Sequence, residues 1–186
     1  IEIAKLRLWL SLIVSEDKIK NIEDLPNLDF KIVNINSLID ESIQLFAKQY
    51  KNISIQLKTE KITSIQADPN KIQQVLNNLL LNSIDACENS DGPQIIFETR
   101  IKKINSINYC VISLADNGEG FSQDMIENAF EPYQTSKSQG KGLGLAIVKS
   151  IIDEHKGKIT IGNSDNGAII SINLPVIQDK NKENAG

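Results

Sequence analysis

The sequence predicts an α+β domain in which helices cover one face of a mixed β-sheet. Three observations lead there. Stripes of apolar residues at helical spacing are interleaved with short runs that alternate apolar and polar. Neighbouring runs lie close enough in the chain to pair as hairpins. The 186 residues are 40% hydrophobic and 24% charged, an ordinary globular mixture with enough apolar material for a core.

The elements follow in order. Residues 1–20 read as a helix, with Leu6, Trp9, Leu10 and Ile13 at helical spacing. Leu8 and Leu12 broaden that stripe, so two faces are expected to be buried, one of them against another chain. Pro26 blocks helix continuation and makes "IEDLPNLDF" a linker. "FKIVNI" alternates as a short strand. "NSLIDESIQLFAKQY" is an amphipathic helix capped by Asn36 or Ser37, with Leu38, Ile39, Ser42, Leu45 and Phe46 facing inward. Strands are expected at 53–58 and 63–68.

Asp68-Pro69 then opens a helix in the favoured way, a cap followed by proline in the first turn. Its core positions, to about residue 88, are Ile72, Val75, Leu76, Leu79, Leu80 and Ile84. "NSDGP" turns the chain into strands at about 94–103 and 109–114. A short helix at 122–129 and a polar segment lead to a helix at 144–156, which Gly157 should end. His155 sits at that helix end, where a cation would complement the dipole, and is read as structural. "KITIGN" and "AIISINLP" close the sheet, and 177–186 is a polar tail expected to be disordered.

Composition excludes several classes. A net charge of −4, with no Lys/Arg stripe among aromatics, argues against nucleic acid. Cys87 and Cys110 are isolated and read as reduced thiols in a cytosolic setting. The most apolar run, Leu8 to Val14, is shorter than the roughly 18 to 20 residues of a membrane span. A start at Ile1 without a signal-peptide pattern leads to the expectation of a piece of a longer protein.

Three constellations carry chemistry. Asn77, Asn78 and Asn82 interrupt an apolar helix, and Asn78 and Asn82 share a face. Burying such amides unpaired costs about 1–3 kcal/mol, so they need either a neighbouring backbone or a ligand with a metal ion. In "LADNGEGF" a strand ends in Asp116, followed by Gly118 and Gly120. That is either a plain hairpin turn or a carboxylate placed to accept from an exocyclic amine. In "GKGLGL" the glycines Gly140, Gly142 and Gly144 crowd a helix start, which makes either a hinge or a cradle for anionic oxygen. Lys137 and Lys141 add positive charge there.

Together these are the complementary parts of one ATP site. In order, "NLLLNS", "DNGEG", "FEPYQTSK", "GKGLGLAIV" and "NGAIISINLP" resemble the N, G1, F, G2 and terminal G boxes of the catalytic domain of sensor histidine kinases, in the GHKL superfamily. The resemblance covers about 32–176, and "EPYQTSK" with "GKGLGLAIV" is most similar to nitrogen-regulation kinases of the NtrY/NtrB type. It implies a two-layer sandwich of the Bergerat type, with a mixed, mostly antiparallel sheet, helices on one face and an added N-terminal helix. It implies the divisions 1–22 as a remnant of the dimerisation domain, 23–31 as linker, 32–176 as the ATP-binding domain and 177–186 as tail.

By similarity, Asp116 holds the adenine amine, with Gly118 and Gly120 letting the base in. Asn82 coordinates Mg²⁺ that bridges the phosphates, and Asn78 lies beside them. Residues 130–142 form a lid with Lys137 on phosphate, and Gly140, Lys141, Gly142, Leu143, Gly144 and Leu145 line the phosphate tail. ATPases of the superfamily place a water-activating glutamate four residues before the metal-binding Asn. Here that place is Asn78, which cannot act as a base, so Asn78 and Lys137 serve phosphoryl transfer instead. The acceptor would be a histidine on a dimerisation domain not found in this sequence, for relay to a response regulator. The full-length protein would be a homodimer, its catalytic part cytoplasmic, in a bacterial inner-membrane sensor. A serine kinase of the superfamily, or a non-catalytic nucleotide-binding scaffold, are the alternatives.

Overall fold

The computed structural model describes residues 30–60, 64–131 and 143–176. Within them the order is β1 (Lys31–Val33), α1 (Ile35–Gln49), β2 (Ser54–Thr59), β3 (Ile65–Ala67), α2 (Pro69–Ala86), β4 (Gln94–Ile104), β5 (Ile107–Asp116), α3 (Gln123–Asn128), α4 (Gly144–Glu154), β6 (Lys158–Asn163) and β7 (Ala168–Pro175). The expected helix at 1–20, the linker up to 29 and the tail at 177–186 lie outside the described residues.

Five strands form one sheet in the order β2-β4-β5-β7-β6. β2 and β4 are parallel, and every other neighbouring pair is antiparallel. β1 and β3 make a separate antiparallel ribbon, joined to the residue after β7 by a bridge between Ile65 and Val176. This is the mixed, mostly antiparallel sheet that was expected.

The period of two decides which side chains meet the helices. Along β5, Cys110, Ile112, Leu114 and Asp116 are buried on one face, in register with Ile95, Phe97, Thr99 and Ile101 of β4. β7 continues the layer with Ile170, Ile172 and Leu174. Asp116 is therefore the polar end of an apolar row. Register places its carboxylate on the face that the helices cover.

α2 supplies the facing stripe, with Ile72, Val75, Leu76, Leu79, Leu80 and Ile84 all buried as expected. Asp68 caps it through Oδ1, which accepts from the N–H groups of Asn70 and Lys71 at 2.9 and 3.3 Å. Three expectations need correction. The cap of α1 is Asn34, whose Oδ1 accepts from Asn36 N–H at 3.0 Å; Asn36 and Ser37 are already its recipients. Leu45 is 58% exposed instead of inward, because the stripe of α1 runs through Ile35, Ile39, Ser42 and Phe46. After α4, Lys156 and not Gly157 takes the left-handed turn, at φ 55°.

Candidate functional site

Asp116 is only 6% exposed, and three donors hold it. The Ser83 hydroxyl donates to Oδ2 at 2.7 Å. The N–H groups of Gly118 and Ala168 donate to Oδ1 at 3.1 and 3.2 Å. Hydrogen bonds to a carboxylate are the strong kind, and three of them fix its orientation. Oδ2, which accepts only from Ser83, keeps acceptor capacity beyond that bond. Burial raises the Cys87 thiol above its ordinary value, and the nearby charge of Asp116 raises it further.

Two of these supports escaped the sequence reading. Ser83 occupies a core position of the α2 stripe, where a hydroxyl needs a partner. Gly167 packs so tightly that a Cβ would overlap the Asp116 carbonyl oxygen and lie 2.8 Å from Gly118 N. Its signal was an asparagine-glycine turn, which names a bend but not the strand lying against it.

Gly118 and Gly120 follow from protein packing. At Gly118 a Cβ would stand 2.6 Å from the Ala86 carbonyl oxygen, where the loop crosses the end of α2. Gly120 has φ 75°, a region glycine enters without strain, and a Cβ there would meet Asn163 Oδ1 at 2.9 Å. Between them Asn117 is a buttress: its Oδ1 accepts from Gln94 N–H at 2.7 Å and its Nδ2 donates to the Gly92 carbonyl at 3.0 Å.

The three asparagines of α2 divide. Asn77 faces α1, where its Oδ1 accepts from the Ser42 hydroxyl at 3.2 Å and from Gln73 Nε2 at 3.4 Å, so its role is structural. Asn78 and Asn82 are half-buried on another face, and no hydrogen bond joins either side-chain amide to a described residue. Asn82 faces the start of α4, since a Cβ on Gly144 would lie 3.7 Å from its Nδ2 and 3.8 Å from its Oδ1.

That start is unlike the others. α1, α2 and α3 are capped by the side chains of Asn34, Asp68 and Ser122. α4 begins at Leu143, which offers no side-chain cap, although Leu145 behind it is anchored in the core. Its first N–H groups lie next to the Asn82 amide, with hydrogen-bonding capacity that no described side chain fills. Lys137, Gly140, Lys141 and Gly142 lie outside the described residues; Leu143, Gly144 and Leu145 are at this helix start.

His155 does something else. Its Nδ1–H donates to the Ile151 carbonyl at 2.7 Å, its Nε2 accepts from Asp68 N–H at 3.1 Å, and its ring stacks on Phe30 with centroids 4.4 Å apart. The residue is structural, as expected.

A family model described as "Histidine kinase-, DNA gyrase B-, and HSP90-like ATPase" matches residues 67–178. The chain is similar to the sensor histidine kinase ZraS of Salmonella typhimurium (strain LT2), with 37% identity over 155 residues, or 81% of this chain and 32% of that protein. It is similar to sporulation kinase B of Bacillus subtilis (strain 168), with 31% identity over 148 residues, or 78% of this chain and 33% of that protein. The chain thus spans about a third of the length of these curated relatives. Among solved structures, the catalytic domain of the histidine kinase ThkA is similar at a TM-score of 0.69 and 31% identity, over 78% of this chain and 97% of that one.

Proposed function

Because the chain belongs to the histidine kinase-, DNA gyrase B- and HSP90-like ATPase family, we propose that it is the ATP-binding catalytic module of a two-component sensor histidine kinase. It binds Mg-ATP and transfers the γ-phosphoryl group to a histidine on the protein's own dimerisation domain, from which a response regulator receives it. The observation that carries this reading is that the start of α4 faces the Asn82 amide and, among the described residues, neither has a side-chain partner. A phosphate chain is the ligand such a helix start suits.

The parts have separate tasks. Asp116, already fixed by three donors, accepts from the exocyclic amine of adenine. Gly118 and Gly120 shape the loop beside the base, and Leu143, Gly144 and Leu145 present backbone N–H groups to the phosphates. Gly140, Lys141, Gly142 and Lys137 complete that wall in the lid. Asn82 would hold Mg²⁺, which would supply charge neutralisation to the phosphates. Among the described residues no group of three or more His, Cys, Asp or Glu side chains could hold a metal by itself. The segments 72–99 and 104–131 carry nine acidic residues, Asp116 and Glu119 among them, but no Lys or Arg. A triphosphate carries several negative charges, which a divalent cation would neutralise. Asn78 stands where a hydrolase of the family keeps its base, which favours transfer over hydrolysis.

The resemblance to the family extends this reading to the parts around the boxes. Residues 1–22 belong to the dimerisation unit, 23–31 link it to the catalytic domain at 32–176, and 177–186 form a tail. The full-length protein is a homodimer anchored at a bacterial inner membrane, with this part in the cytoplasm. No described helix is long and apolar enough to cross a membrane. Nitrogen regulation is suggested by "EPYQTSK" and "GKGLGLAIV" alone, whereas the named relatives include kinases of sporulation.

One experiment tests the reading. The chain is mixed with labelled Mg-ATP and a dimerisation domain carrying an acceptor histidine. Acid-labile, alkali-stable label on that domain, abolished by EDTA, is expected. Acid-stable label would assign a serine kinase, and no transfer with intact binding would leave a nucleotide-binding scaffold.

A further inference from the structure

Asn163 ends β6 and faces the loop that leaves Asp116. Its side-chain amide is spent on one residue: Oδ1 accepts from Phe121 N–H at 2.8 Å, and Nδ2 donates to the Phe121 carbonyl at 2.8 Å. Gly120 fits against it only because it lacks a Cβ. The Phe121 ring packs against the core, and Ser122 follows at once as the cap of α3. The two-bond clamp therefore sets the direction in which the chain leaves the Asp116 loop.

The same turn holds the acid. Four and five residues after Asn163, Gly167 lies on the Asp116 backbone and Ala168 N–H donates to its carboxylate. The turn is itself braced by Ser164, whose N–H and hydroxyl both donate to the Gly167 carbonyl, at 2.7 and 3.1 Å. One short turn thus registers the acid and the exit of its loop together. Asn163 is exposed, so its bonds compete with water and add little to global stability. Their effect is on geometry.

We infer that Asn163 is a positioning residue of the nucleotide site: by clamping Phe121 it keeps residues 117–121 and the Asp116 carboxylate in one frame for the base. The inference rests on the nucleotide reading above. It also specifies a signature. The clamp acts behind the base and away from the phosphate tail, so its loss should weaken ATP and ADP by the same factor.

The test is calorimetric titration of the whole chain with Mg-ATP and Mg-ADP, in the parent, Asn163→Ala, Asn163→Asp and Asp116→Ala, with melting temperatures measured alongside. Expected are a parent that binds both, an Asp116→Ala variant that binds neither, and an Asn163→Ala variant about tenfold weaker for both, its melting temperature shifted by only a few degrees. Asn163→Asp keeps the bond from Phe121 N–H and sets an oxygen against the Phe121 carbonyl, so it too should bind more weakly than the parent. It is the variant to read if Asn163→Ala does not fold. A lowered melting temperature with parental affinity in the Asn163 variants overturns the inference and leaves the nucleotide site standing. Failure of the parent to bind overturns both.

Discussion

α2 and α4 pack with opposite directions, and the two ends of the pair are finished differently. At one end Asp68 caps α2, His155 closes α4, and the Asp68 N–H reaches the His155 ring. Lys71 and Glu154 add an ion pair at 2.6 Å across the surface, worth little by itself. At the other end the Asn82 amide and the first N–H groups of α4 face each other without a described partner. Both ends are rich in hydrogen-bonding groups. Only one has satisfied them among the described residues, and a helix start beside such an amide suits an anionic ligand.

The comparison breaks most severely at Gly167. An alanine there would overlap the Asp116 carbonyl oxygen, so Gly167→Ala should cost about 3 kcal/mol or more and remove nucleotide binding with it. Denaturant unfolding and calorimetry check both. Next is the closed end. His155→Ala strands Asp68 N–H, loses the stack on Phe30 and should destabilise by about 2–3 kcal/mol, while the folded molecules keep parental affinity for Mg-ATP. An equal loss of affinity would merge the two ends into one functional unit.

Ser83→Ala sharpens the contrast at smaller cost. Asp116 keeps two of its three donors, so a loss of about 1 kcal/mol in stability and roughly fivefold in affinity is expected from the same measurements. The last effect is on pH dependence. Burial pushes the Cys110 thiol from an ordinary 9.0 up to about 12. Above pH 9.0 the unfolded chain releases that proton while the folded chain holds it, so stability is full below that pH and falls as pH rises toward 12. Urea unfolding at pH 8 and pH 10 checks the sign, and Cys110→Ala should flatten the decline.

Much of the framework was legible in the sequence. The α2 stripe, its Asp68 cap and the bounds of β6 and β7 all emerge from local periodicity and turn chemistry. The candidate acid was legible too, because a strand that ends in Asp116 before two glycines is a local pattern. What holds the acid was not. Ser83, Gly167 and Asn163 meet their partners only after β5 and β7 pair and α2 lies across them, and spacing along the chain says nothing of such contacts. The same limit explains Asn77 and Asn78. Neighbours in sequence, they point to different faces, and only the packing of α1 shows that the first is spoken for.

The most direct measurement is a calorimetric titration of Mg-ATP into the parent and into Asn82→Ala and Asp116→Ala variants that remain folded. The account predicts one site in the parent and at least a hundredfold loss of affinity in each variant, with Asn82→Ala as stable as the parent to within about 0.5 kcal/mol. Parental affinity in both variants would show that the open end of the helix pair and the strand-end acid do not share a nucleotide.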